Sequence, residues 1–165
     1  MQRSDPFRLC KEIAVAGALV SGLAPAIAAD EDFVQKAAAG GVAEVAAGQM
    51  AGQKGASESV KSFGARMVED HGKANDELKS IATSKKMGMP AAPDASQQKA
   101  AAALEAKSGA DFDRAFKQQM IADHKSAIAL FQKEAKSGSD PDLKSFAGKT
   151  LPTLQEHLKM AEAMK

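Results

Sequence analysis

Tryptophan and tyrosine are missing from this chain of 165 residues, and cysteine occurs once, at Cys10. A lone thiol makes no internal disulfide, and the paired Cys or Cys/His spacings of zinc modules do not occur. With seven phenylalanines and no other benzenoid ring, few surfaces exist on which nucleic-acid bases could stack. Charge of one sign is also wanting. The 22 basic residues nearly cancel the 21 acidic ones, leaving +1 and no general field for polyanions. Nucleic acid is therefore not expected as a partner. Catalytic patterns are scarce too: no Ser/His/Asp arrangement, no Gly-rich phosphate loop and no basic stripe occurs, so no catalytic residues are assigned and enzyme activity is not expected.

What is present begins with an address. Arg3, Arg8 and Lys11 precede an apolar run from Ile13 to Leu23, which closes on Pro25-Ala26-Ile27-Ala28-Ala29. A basic start, a short apolar stretch and an Ala-x-Ala exit make a secretory signal over residues 1–29, cleaved after Ala28 or Ala29. An N-terminal membrane anchor is the competing reading, although spanning a bilayer takes about 20 apolar residues. Cys10 precedes the apolar run, whereas a lipid-bearing cysteine would follow it. Cleavage leaves nineteen basic and nineteen acidic residues and no thiol. A cysteine-free, neutral chain suits an oxidising compartment. The protein is expected to be exported to the periplasm or the outer-membrane periphery, with no membrane span in its mature part, residues 30–165.

Alanine is the commonest residue, β-branched residues are few after the signal, and period-two alternation is absent, so the chain reads as all-α. Turn signals divide it into long helices at about Glu31–Lys54, Ser57–Lys86, Asp111–Lys136 and from Asp140-Pro141-Asp142 to the C-terminus. Asp140 is an N-cap with Pro at the first helical position. A weaker helix falls near Ala95–Lys107, inside a connection of about twenty residues. Short, long, short connections predict a four-helix bundle with one crossover between its second and third helices, as in ferritin-like folds. Pro152 should kink the last helix. The stretch Gly55–Gly64 is echoed by Gly138–Ala147, at a distance of 83 residues, so the two helical hairpins share a design.

The three histidines lie on apolar stripes of three different helices. One stripe runs through Val60, Phe63, Met67, His71, Ala74, Leu78 and Ile81. Another runs through Phe112, Phe116, Met120, His124, Ala127 and Phe131. The last runs through Leu143, Phe146, Thr150, Leu154, His157, Ala161 and Met164. An apolar stripe takes about three of every seven positions, so three randomly placed residues would all fall on stripes less than about one time in ten. Glu44 lies on the line Phe33, Ala37, Gly40 or Gly41, Glu44, Ala47 of the first helix. Counting along antiparallel helices at about 1.5 Å per residue places Glu44, His71, His124 and His157 near one middle layer.

Buried polar groups need partners, and two arrangements supply them. One is a divalent transition metal (Zn, Fe, Mn or Cu) held by His71, His124, His157 and Glu44. The other is a metal-free, hydrogen-bonded layer in a non-catalytic module that meets an envelope partner. Asp70 and Asp123 each precede a histidine by one residue, about 100° around the helix. They are candidates to orient a histidine of a neighbouring helix, or plain carboxylates at the solvent edge. Glu-x-x-His is absent, which speaks against a di-iron carboxylate site. Met67 and Met120, one turn before their histidines, offer a minor copper(I) option, though such methionines usually fill cores.

Phe63-x-x-x-Met67-Val68-x-Asp70-His71, Phe112-Asp113, Asp123-His124 and Leu151-Pro152-x-Leu154-x-x-His157 resemble a family of exported bacterial proteins. It is the domain-of-unknown-function family numbered four-one-four-two. The likeness runs from Phe33 to Met160. It implies a ferritin-like bundle at the periplasm or outer envelope and supplies no reaction. Phe116 stands where the family pattern leads one to expect Tyr, which weakens any phenol-based role.

Overall fold

The computed structural model describes residues 23–90 and 92–165. These form α1 (Leu23–Lys54), α2 (Glu58–Ser84), α3 (Ala95–Glu105), α4 (Gly109–Ser137) and α5 (Pro141–Ala163). Among the described residues the only β pairing is an isolated bridge between Gly55 and Gly109. The basic start and most of the apolar run of the expected signal lie outside the described residues. α1 begins at Leu23, eight residues before the expected Glu31, and crosses Ala28 and Ala29 without a break. The alanines there are strong helix formers, and nothing between them and Asp30 stops a helix.

Helix ends follow local chemistry. The Ser57 hydroxyl accepts from Val60 N–H at 3.3 Å to start α2. α2 ends where Lys86 takes φ 58°, so that Lys86 N–H reaches Thr83 O and Met87 N–H reaches Ala82 O at 2.9 Å. This is the left-handed closure usually given to glycine. Asp94 and Gln97 cap each other reciprocally at the start of α3, and Asp140 caps α5 through the N–H groups of Asp142 and Leu143. α5 continues as helix through Pro152.

α1 packs along α2 and α4 along α5, while α1 meets α4 and α2 meets α5; α3 lies on α1 and α4. The end of α1 at Gly55 adjoins the start of α4 at Gly109, and Asp30 near the start of α1 adjoins the α4–α5 turn, so α1 and α4 are antiparallel. Lys85, just past α2, holds Asp140 at 2.6 Å, which makes α2 and α5 antiparallel as well.

An approximate two-fold relation joins the α1–α2 hairpin to the α4–α5 hairpin. Asp113 of α4 accepts the N–H groups of Ala56 and Ser57, both at 2.9 Å, and so ties down the α1–α2 turn. Asp30 of α1 accepts the N–H groups of Ser139 and Asp140, both at 3.0 Å, and ties down the α4–α5 turn. Donors and acceptors alike are 83 residues apart. The same operation exchanges two edge-to-face ring pairs, Phe33–Phe146 at 6.4 Å and Phe63–Phe116 at 6.0 Å. Each pair anchors one of two apolar clusters. The first gathers around Phe33, Phe131, Leu143 and Phe146, the second around Val60, Phe63, Phe112 and Phe116. Polar side chains occupy the space between them.

Candidate functional site

Four side chains from four helices meet between the apolar clusters. Glu44, His71, His124 and His157 are all buried, the last two completely. The imidazole centroids are 5.2–5.6 Å apart, and each ring offers one nitrogen within 4.8 Å of those of the other two. Phe63 covers the group, its ring 6.3 Å from His124 and 5.8 Å from His157. The helical stripes thus bring together the three histidines as the sequence implies.

Each imidazole is held on one nitrogen by an oxygen. His124 Nδ1 meets the carbonyl of Met120 at 2.7 Å. His71 Nδ1 is 3.1 Å from Glu44 Oε2, and His157 Nε2 is 2.9 Å from Asp70 Oδ2. The nitrogens left over are Nε2 of His71, Nε2 of His124 and Nδ1 of His157. The first and last of these face each other at 3.3 Å, and His124 Nε2 is buried with no partner. Oxygen acceptors behind the rings, with lone pairs converging in front, are the arrangement that orients histidines on a metal.

Electrostatics keeps the rings neutral. Burial, reinforced by the neighbouring His124 and His157, pushes His71 down to about 3. Burial likewise lowers His124 to about 4 and lowers His157, the latter against the opposing pull of Asp70. Burial, then the nearby charge of Asp123, pushes Glu44 up to about 8. Burial alone would raise Asp70, but bonds from His157 and Arg66 outweigh it and hold its carboxyl low. Arg66 also reaches Glu156 at 3.3 Å, anchoring this relay at the surface.

The remaining predicted residues fall differently. Glu44 stands behind the rings, on His71 and 3.7 Å from His124 Nδ1, and its Oε1 is buried without a hydrogen-bond partner. Asp70 does orient a histidine of a neighbouring helix. Asp123 is not among the partners of the rings; burial raises its carboxyl, and Gln119 partly stabilises it. Asp123 instead lines a cavity of about 300 Å³ that reaches Glu44 and His71 and extends under α3. Sequence reasoning did not find this cavity, nor the ties made by Asp30 and Asp113. The latter had a signal: Asp-x-x-Phe occurs at Asp30 and again at Asp113, in register with the echo of the turns.

The chain belongs to the family described as Domain of unknown function (DUF4142), whose model matches residues 18–164. No curated protein and no solved structure matches it. The family carries no reaction, so the chemistry rests on the residues. Among the described residues no helix is long and apolar enough to cross a membrane.

Proposed function

We propose that this is an exported metal-binding protein, a ferritin-like four-helix bundle with α3 in its crossover. A divalent transition metal is held by His71, His124 and His157. Glu44 and Asp70 fix the ring orientations from behind. One observation carries the reading: three neutral imidazoles from three helices point free nitrogens at one another, while their other nitrogens face oxygen. Neutral lone pairs facing each other repel unless a cation or a shared proton lies between them, and an all-imidazole set suits Zn, Cu, Fe or Ni. The basic start, apolar run and Ala-x-Ala exit support export to the periplasm or outer-membrane periphery.

The test uses the chain secreted by a bacterial host, whose N-terminus should be Ala29 or Asp30. Zn²⁺, Cu²⁺, Fe²⁺ or Mn²⁺ should raise its thermal midpoint, by an amount that reaches about 2.7 kcal/mol at a hundredfold excess over Kd. His71→Ala should abolish the gain. Failure of all four metals to bind or stabilise the wild type would refute the proposal.

A second reading is favoured by the high position of Glu44, near 8. A protonated Glu44 donates to His71 Nδ1, His71 Nε2–H donates to His157 Nδ1, and His157 Nε2–H donates to Asp70. That metal-free layer belongs to a non-catalytic envelope module. In it His124→Ala lowers stability and leaves partner binding intact.

A further inference from the structure

The two-fold relation between the hairpins exposes an asymmetry. The positions equivalent to His71, His124, His157 and Glu44 are Leu154, Gly41, Ala74 and Ala127, each 83 residues away. All four line the 300 Å³ cavity. The cavity therefore occupies the mirror place of the histidine cluster, and it exists because two imidazoles and a carboxylate are replaced there by Gly and Ala. The Asn75 side chain lies over Gly41, where a Cβ would come within 2.0 Å of its Oδ1.

The walls of this chamber differ from end to end. Leu78, Leu130, Phe131 and Phe146 give it an apolar floor, and Asp123 brings a carboxyl to its polar side, beside Asn75, Gln97 and Gln119. Glu44 Oε1 is closed off from the cavity, 3.7 Å from His124 Nδ1, so Asp123 is the carboxyl that a ligand there meets. Lys36 at the rim is already held by Asp32 at 2.7 Å. The volume lies at the lower bound of small-molecule sites, about 300 Å³.

The geometry points to a binding site for a small organic amine, its N–H groups donating to Asp123 and its apolar body lying on Leu78, Phe131 and Phe146. An amine brings several donors, and a positive charge when protonated, to the Asp123 carboxyl. A hydroxyl offers a single proton and no charge. A carboxylate sets its own oxygens against those of Asp123 and is disfavoured. The site needs no metal and does not rest on the metal reading.

Three ligands with matched bodies test it: 2-phenylethylamine, 2-phenylethanol and phenylacetate, titrated calorimetrically into the full chelator-treated chain. The amine should bind at least about tenfold more tightly than the alcohol, with no measurable binding of phenylacetate. Gly40→Leu and Ala74→Leu should fill the chamber and weaken amine binding tenfold or more. Gly52→Leu, on a face of α1 with no neighbour within 4 Å, should not. Asp123→Asn should erase the preference for amine over alcohol while leaving the alcohol bound. The proposal is overturned if the wild type binds no amine, if alcohol or phenylacetate binds as well, or if the folded Leu variants bind like wild type.

Discussion

Glu134 lies buried near the end of α4, with Oε1 unpartnered and folded back over Gly138. Burial, then the adjacent Asp30, lifts its carboxyl to about 7. A carboxyl whose folded value exceeds its unfolded one binds its proton more tightly in the folded chain. That contribution is fully present below the unfolded value of 4.5 and is lost as pH rises through about 7. Glu134→Gln keeps the shape without the charge. It should be more stable than wild type at pH 8, by roughly 1–2 kcal/mol, and equal to it at pH 4. Urea melts at the two pH values measure this; a gain of the same size at both would assign it to something other than charge. At this scale the sequence was informative only where a polar side chain broke an apolar stripe. His71, His124 and His157 are such breaks, and all three converge. Glu134 continues the α4 stripe three residues past Phe131, but it stands so near the helix end that its burial depends on the turn that follows.

The α1–α2 crossing depends on small residues. A Cβ at Gly64 would meet Ala51 Cβ at 2.6 Å and Gly48 O at 2.7 Å, and one at Gly48 would meet Gly64 O at 2.5 Å. These contacts are backbone and rigid packing, with no flexible side chain to yield. Gly64→Ala should therefore destabilise the chain, by about 2 kcal/mol or more, although alanine is the better helix former. Gly72→Ala on the same helix meets nothing within 4 Å and should stabilise by up to about 1 kcal/mol. Thermal melts of both variants separate packing from propensity. The helices themselves were legible, because period-3.6 stripes and caps such as Asp140-Pro141 are local. The start of α1 was not, since an alanine-rich stretch reads equally well as helix or as the exit of a signal.

Over the whole molecule, Asp30 and Asp113 are matched ties at opposite ends, each accepting two backbone N–H groups of a turn made by the other hairpin. Asp30→Ala and Asp113→Ala should each cost about 1–2 kcal/mol by removing two hydrogen bonds to part-buried turn N–H groups. Because they share no partners, the double variant should show the sum to within about 0.5 kcal/mol. A marked shortfall in denaturant unfolding would mean that the ends communicate. The long connection between α2 and α4, with a short helix inside it, was legible from the turn signals. The chamber was not: Gly41, Ala74 and Ala127 are unremarkable helix residues until a rotation of the structure sets them against His124, His157 and Glu44.

The connection between α2 and α3 divides the site evenly. Glu44 and His71 belong to the hairpin before it, His124 and His157 to the hairpin after it, so neither half holds three imidazoles. A chain cut at residues 92–93 would give two fragments, neither with the three-imidazole set. On the proposed function, any ion captured from their mixture would report that the halves had found each other. The free energy of loading would then also be a free energy of joining.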